Sequence, residues 1–176
     1  LLRTPEPAPV PILRPERAAD AEAIGRLLRA AFEGPDEAAI VERIRSRAAG
    51  YLALVAEIDG QLVGHIAFSP MTMEPDRPEL GSFGLAPLAV LPEFQGQGIG
   101  SRLSEAGLAA CRAAGARAVF VLGHPDYYAR FGFALALDRG ITCVYDAPKA
   151  FMVLELEAGA LDGVTGIARY HPALEG

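Results

Sequence analysis

Gly96, Gly98 and Gly100 alternate in the run Gln95-Gly96-Gln97-Gly98-Ile99-Gly100-Ser101, directly after an apolar strand-like segment and at the opening of a helical pattern. Missing Cβ atoms let a ligand approach the main chain there, where the amide N–H groups converge at the positive end of the helix. A pyrophosphate fits that description. The loop is not a dinucleotide fingerprint, because counting from Gly96 puts Ser101 at the third glycine place. The next strand, Ala118-Val119-Phe120-Val121-Leu122, also ends without an acid to hold a ribose. These two departures argue against a nucleotide-dependent oxidoreductase. A Walker loop is excluded as well, since no Lys followed by Ser or Thr closes the glycine run.

Other residues with chemical potential are few. Cys111 falls in a helical pattern and Cys143 in a strand pattern; they form neither a disulfide framework nor a metal cluster, so no metal site is expected. His124 stands beside Pro125 just after the second apolar strand, where a packing or helix-entry role is expected.

The elements that must position the glycine loop follow from periodicity. Val10, Ile12 and Leu13 suggest a short strand, after which Asp20 is expected to cap a helix with an apolar stripe of Ile24, Leu27, Leu28, Ala31 and Phe32. That helix should stop at Gly34-Pro35. Asp36 is expected to cap a second helix, with Val41, Ile44 and Ala48 inward, Arg43 and Arg47 on a solvated face, and Gly50 at its end. Residues 51–58 and 61–69 then read as strands joined by Asp59-Gly60, a strong hairpin signal. The stretch 70–82 reads as a loop. A strand over 85–91, the glycine loop, a helix over 99–114 and a strand over 118–122 make a βαβ unit with parallel strands and a right-handed crossover. A short helix over 126–130 and strands over 133–137, 141–145 and 151–157 complete the pattern; 163–176 has no clear periodicity.

The stretch Leu88-Ala89-Val90-Leu91-Pro92-Glu93-Phe94-Gln95-Gly96-Gln97-Gly98-Ile99-Gly100 resembles the acetyl-CoA motif of the GNAT N-acetyltransferases, Q/R-x-x-G-x-G/A, with Gln95, Gly98 and Gly100 in its fixed places. The resemblance implies a mixed α/β (α+β) fold with a splayed central sheet flanked by helices on both faces. It implies acetyl-CoA as co-substrate, its pantetheine arm in the gap between the parallel strands, bonded to the backbone of Leu88, Ala89 and Val90. The phosphates would lie on Gln95, Gly96, Gln97, Gly98, Ile99, Gly100 and Ser101.

Acetyl transfer needs a neutral amine, a stabilised oxyanion and a proton for the departing thiolate. The run Tyr127-Tyr128-Ala129-Arg130-Phe131-Gly132-Phe133 resembles the family's stretch in which a tyrosine four residues before the glycine of a Gly-Phe pair is the general acid. Tyr128 holds that place, with Tyr127 the alternative. A backbone N–H over 88–90 is the expected oxyanion donor. Many relatives carry a glutamate on the strand before the loop, whereas Leu85-Ala86-Pro87-Leu88-Ala89-Val90 holds no titratable group. His65 and Glu79 are the candidate bases, acting through water. The empty strand keeps open a non-catalytic acyl-CoA-binding or regulatory domain of the same fold.

Composition bounds the partners. The 176 residues suit one domain over 10–176 behind a proline-rich leader or remnant over 1–9. A net charge of -6 without a basic stripe opposes nucleic-acid binding. The lack of a spanning apolar run or signal pattern points to a cytoplasmic protein without a membrane partner. A small-molecule or protein amine is the expected acceptor. By the resemblance, the two N-terminal helices, the hairpin and 70–82 would select it; a homodimer through an edge strand is compatible with the fold.

Overall fold

The computed structural model describes residues 5–175. Residues 1–4 of the expected leader, and Gly176, lie outside the described residues. In chain order the elements are β1 (Ile12–Pro15), α1 (Ala21–Phe32), α2 (Asp36–Arg47), β2 (Leu52–Ile58), β3 (Gln61–Pro70), β4 (Thr72–Glu74), β5 (Phe83–Val90), α3 (Ile99–Ala113), β6 (Ala118–Leu122), α4 (Pro125–Tyr128), β7 (Ala134–Leu135), β8 (Ile141–Cys143), β9 (Phe151–Glu155) and β10 (Gly166–Arg169). A seven-stranded sheet runs β1-β2-β3-β5-β6-β9-β7, and a three-stranded sheet runs β4-β10-β8.

The β2–β3 hairpin turns at Asp59 and Gly60, whose φ angles of 49° and 80° both lie in the left-handed region that a twisted two-residue turn requires. Within the large sheet β5 and β6 form the parallel pair, and their contact is short: Phe83, Gly84 and Leu85 face Val119, Phe120 and Val121. Residues 86–90 of β5 run on without a strand on that side. On its other side β5 pairs with β3, with an irregularity where Ile66 faces Leu88 but Phe68 faces Leu85. Two steps on β3 therefore match three on β5, and the extra residue falls at Ala86-Pro87, where proline has no N–H for a ladder.

Helix α3 lies close against one face of the sheet because two glycines permit it. A Cβ on Gly107 would stand 2.5 Å from the Phe68 ring, and one on Gly64 would stand 2.8 Å from Leu103. Side chains alternate across a strand, so Gly64, Ile66 and Phe68 face α3 while His65 and Ser69 face the other side. On that other side Glu16 gathers a network: it accepts hydrogen bonds from Tyr51 Oη at 2.7 Å and from Arg45 of α2, and pairs with His65 Nε2 at 2.9 Å. Burial raises the Glu16 pKa, but the bonds from His65, Arg45 and Tyr51 outweigh it and leave the carboxyl below its ordinary range. The helices thus flank both faces. Further along, Val119, Val121 and Met152 share a core with α3, whereas Ala118, Phe120, Phe151 and Val153 share a second core with Ile141 and Tyr170.

Several local expectations are corrected. Asp20 does not cap α1: its carboxylate accepts the Arg17 N–H at 2.7 Å and two bonds from Arg14, which holds its pKa at about 2. Asp36 is the first residue of α2, with Pro35 at the cap position. Arg43 is not simply solvated, since its Nε donates to the Ala173 carbonyl at 3.0 Å. The expected loop over 70–82 contains β4, and β10 lies in the stretch without periodicity.

The Gly107 contact yields a test of this packing. Gly107→Val should push α3 from a fully buried Phe68 and lower stability by about 2 kcal/mol or more, the usual scale of overpacking, seen as a lower denaturation midpoint; an unchanged midpoint would mean that α3 is not seated as described.

Candidate active site

The glycine loop opens onto a cleft of about 420 Å³ between the start of α3, the free side of β5 and the α4 turn. Gly96 and Gly98 have φ angles of 74° and 81°, a conformation that L side chains rarely adopt, so the chain can bend from β5 into α3 there. The first helical bond runs from Arg102 N–H to the Gly98 carbonyl. Ile99, Gly100 and Ser101 therefore carry first-turn amides with no intrahelical acceptor, and no side chain caps the helix. Gln95 ties the loop to its strand by donating from Nε2 to the Val90 carbonyl at 3.0 Å.

Strand geometry decides which groups of β5 face the gap. Leu91 N–H bonds the Val63 carbonyl of β3, so by alternation the backbone of Ala89 also turns to β3 while that of Leu88 and Val90 turns away from it. Of the residues expected to hold the cofactor, Leu88, Val90, Gln95, Gly96, Gly98, Ile99, Gly100 and Ser101 line the cleft. Ala89 and Gln97 do not. Ala89 is buried toward the face of His65, and the Gln97 amide reaches back toward the Glu93 carbonyl at 3.4 Å.

Three lining residues were not singled out for binding from the sequence: Phe94, Arg130 and Tyr127. Arg130 is the one charged side chain among the lining residues; its guanidinium lies 4.4 Å from the centre of the Tyr127 ring, and its Nε donates to the Tyr127 carbonyl at 3.2 Å. The Tyr127 hydroxyl is 2.9 Å from where a Cβ of Gly100 would stand, and it is buried with no hydrogen-bond partner.

The neighbouring tyrosine faces elsewhere. The Tyr128 ring lies against Gly123, directly after β6, so close that a Cβ on Gly123 would be 2.5 Å from Tyr128 Cε2. Edge contacts with Tyr127 and Phe133 fix the ring, and burial, with the nearby Tyr127 phenol, pushes its pKa up to about 12. Tyr128 thus borders the end of β6, where the parallel pair has just separated.

The candidate bases are placed less favourably. His65 is fully buried behind Ala89, with Nε2 on Glu16 and Nδ1 unpartnered, and it lines no cleft among those described. Glu79 sits in the 3-10 turn Pro78–Leu80 before β5, whereas the gap opens toward the other end of that strand. His124 precedes α4, and its carbonyl accepts from the N–H groups of Tyr127 and Tyr128. Among the described residues no group of His, Cys, Asp and Glu could hold a metal ion, and no helix is long and apolar enough to cross a membrane.

Known proteins share this arrangement. The acetyltransferase (GNAT) domain matches residues 13–136. The uncharacterized N-acetyltransferase YhbS of Escherichia coli is 40% identical over 162 residues, covering 91% of this chain and 96% of YhbS. The crystal structure of that protein in complex with CoA superposes with a TM-score of 0.90, covering 99% of this chain and 97% of the other at 38% identity. A GNAT family acetyltransferase from Brucella melitensis, in complex with acetyl-CoA, gives a TM-score of 0.76 at 38% identity, covering 93% and 97%. With the glycine loop, the splayed strands and these relatives in agreement, the chain belongs to the GNAT family of N-acetyltransferases.

Proposed function

We propose that the chain binds acetyl-CoA in the cleft at the glycine loop and transfers the acetyl group to an amine by direct attack. The observation that carries this reading is the join of two features: unpaired amides at the start of α3 and the free backbone of Leu88 and Val90 beside them. The first suits a pyrophosphate, the second an extended pantetheine arm. The solved relatives holding CoA and acetyl-CoA support the same assignment. Such an enzyme would work where acetyl-CoA is plentiful, in the cytoplasm.

In the reaction the amine lone pair attacks the thioester carbonyl carbon, a C–N bond forms, and the carbonyl oxygen becomes an oxyanion. We assign the Leu88 N–H, directed to the gap, as its donor. The nitrogen, positively charged by the attack, gives up a proton to solvent, collapse breaks the C–S bond, and the thiolate takes up a proton. Tyr128 is the proposed acid. Its phenol, at about 12, stays protonated through neutral pH. Full transfer to a thiolate resembling cysteine costs roughly 5 kcal/mol, the difference from ~8.5, so a hydrogen bond to the sulfur supplies the early stabilisation and the proton follows. Tyr127 we assign to the cofactor, its unpartnered hydroxyl donating to the pantetheine or phosphate beside Gly100, with Arg130 against the phosphate charge.

His65, buried and bound to Glu16, is assigned to holding β3 in place; the amine loses its proton to solvent. An alkyl amine of pKa ~10.4 is neutral in less than about one part in 10³ at pH 7. The rate should then climb about tenfold per pH unit until the amine titrates or the protein unfolds.

Three measurements test these roles. Gly98→Asp and Gly100→Asp place bulk and negative charge against the pyrophosphate, and calorimetry should find acetyl-CoA binding weakened by about 100-fold or more, near 2.7 kcal/mol; folded variants binding as the parent does would remove the loop from the site. The tyrosines should separate. Tyr128→Phe should lower kcat by about 10² with acetyl-CoA affinity kept, while Tyr127→Phe should raise the acetyl-CoA Kd about fivefold, the worth of one hydrogen bond; the reverse pattern would exchange their roles. Finally, the pH profile of kcat/KM should keep its form in His65→Gln, since a histidine base would bend the parent's profile and the substitution would straighten it.

A further inference from the structure

A second cavity, of about 310 Å³, lies on the face of the sheet away from the cofactor cleft, and apolar side chains dominate its lining: Leu137, Ile141, Val144, Tyr145 and Phe151. Three of these stand out in a chain that buries most of its large apolar residues: Leu137, Val144 and Tyr145 are 52%, 46% and 40% exposed. The charged residue in the lining is an acid, Asp146. This cavity lies outside the parts of the fold that the family resemblance marks for acceptor choice.

Its position relative to the gap is set by strand register. Phe151 pairs with Leu122, the last residue of β6 and one step beyond the final parallel pair of Leu85 with Val121. Tyr170 bridges the remaining distance. Its ring packs on Tyr145, with centroids 6.1 Å apart, and on Phe151 at 6.4 Å. The same ring covers Gly84 of β5, where a Cβ would be 2.7 Å from Tyr170 Cε1, one residue before the strands part. The Tyr170 hydroxyl is buried without a hydrogen-bond partner. Tyr128 packs in the core shared with α3 and Tyr170 in the core on the opposite face. The two phenols therefore belong to opposite faces of the sheet: Tyr128 packs edge-on against Tyr127, which lines the cofactor cleft, and Tyr170 packs on Tyr145 and Phe151, which line the apolar cavity.

We propose that this cavity is the acceptor site and that it takes a small primary amine with an aromatic or branched apolar body, its nitrogen directed past Tyr170 into the gap between β5 and β6. The proposal rests on the reading of the glycine loop as the acetyl-CoA site, because that reading puts the thioester in the gap from the other face. Aromatic and aliphatic walls favour an apolar body, while Asp146 and the aromatic faces favour the cationic form in which an amine arrives. A long polyamine, with charge along its whole length, would leave ammonium groups against Leu137, Ile141 and Phe151 with nothing to pair them. Tyr170 then acts as a positioning residue: its hydroxyl oxygen accepts a hydrogen bond from the amine N–H and aims the lone pair at the thioester.

The experiment measures thiol release from acetyl-CoA by the full chain with three probes: 2-phenylethylamine, spermidine and an α-blocked lysine amide. The expected result is a kcat/KM for 2-phenylethylamine at least about tenfold above the other two, a difference of about 1.4 kcal/mol. Leu137→Arg and Val144→Arg, both at exposed positions that tolerate a polar side chain, should each lower that kcat/KM about tenfold while acetyl-CoA affinity by calorimetry stays as in the parent. Tyr170→Phe should lower kcat for 2-phenylethylamine without altering acetyl-CoA binding. Preference for spermidine or the lysine amide, or indifference of 2-phenylethylamine turnover to both arginine substitutions, overturns the acceptor assignment and leaves the transferase reading standing. Binding of acetyl-CoA with no thiol release to any amine overturns both.

Discussion

The molecule depends on how briefly β5 and β6 touch. Parallel strands this short gain little from their ladder, and three paired residues, Phe83 to Leu85 against Val119 to Val121, hold the two halves of the large sheet together. Beyond Leu85 the ladder on that side of β5 ends, because the backbone is displaced by the extra residue at Ala86-Pro87 and proline offers no donor. Backbone groups left free along residues 86–90 must find partners elsewhere. Gln95 supplies one for the Val90 carbonyl. The N–H of Leu88 is left without a strand partner, an edge of the kind that an extended, amide-bearing molecule can pair with.

Close packing of α3 makes the gap useful. Without side chains at Gly64 and Gly107, the helix sinks onto β3, and its positive end arrives level with the free part of β5. The same permissiveness recurs in the loop, where Gly96 and Gly98 take backbone angles that other residues resist. Glycine therefore serves two purposes in this unit, the close approach of helix to sheet and the left-handed bends of the loop. The Glu16 network acts on the opposite face in a comparable way, joining the chain after β1 to α2, β2 and β3 through one carboxylate whose hydrogen bonds offset the cost of its burial.

Much of this was legible in the sequence because it is local. The hairpin at Asp59-Gly60, the part of the α1 stripe formed by Ile24, Leu27 and Leu28, and the strand-loop-helix-strand order around the glycines are each specified by residues within one or two turns of one another, whereas Phe32, expected in that stripe, is exposed. What was not legible depends on distant partners. β4, β8 and β10 are three or four residues long and are held by each other across the chain, Glu74 facing Ile167 and Cys143 facing Ala168, so no stretch of them displays a period. Asp20 had the residue type of a helix cap, but Arg14 on β1 and the Arg17 N–H compete for its carboxylate and win. His65 looked available in the middle of a strand, and only the fold brings Glu16 to it from 49 positions away.

The pair of tyrosines shows how finely side-chain direction must be resolved before chemistry can be assigned. Tyr127 and Tyr128 are adjacent and chemically identical, yet successive residues on a helical turn point about 100° apart. One ring consequently reaches the loop at Gly100 and the other reaches Gly123 at the end of β6. Their edge-to-face contact, centroids 5.0 Å apart, couples the two directions, so each ring braces the other in place. A third phenol, Tyr170, comes from the far end of the chain to cover Gly84 of β5 on the opposite face of the sheet. Because it is delivered by the small sheet, it answers to packing among β4, β8 and β10 and not to the cofactor-binding unit. The residues around the glycine-loop cleft and those around Tyr170 thus belong to separate cores, so the second can change its lining while the first keeps its geometry.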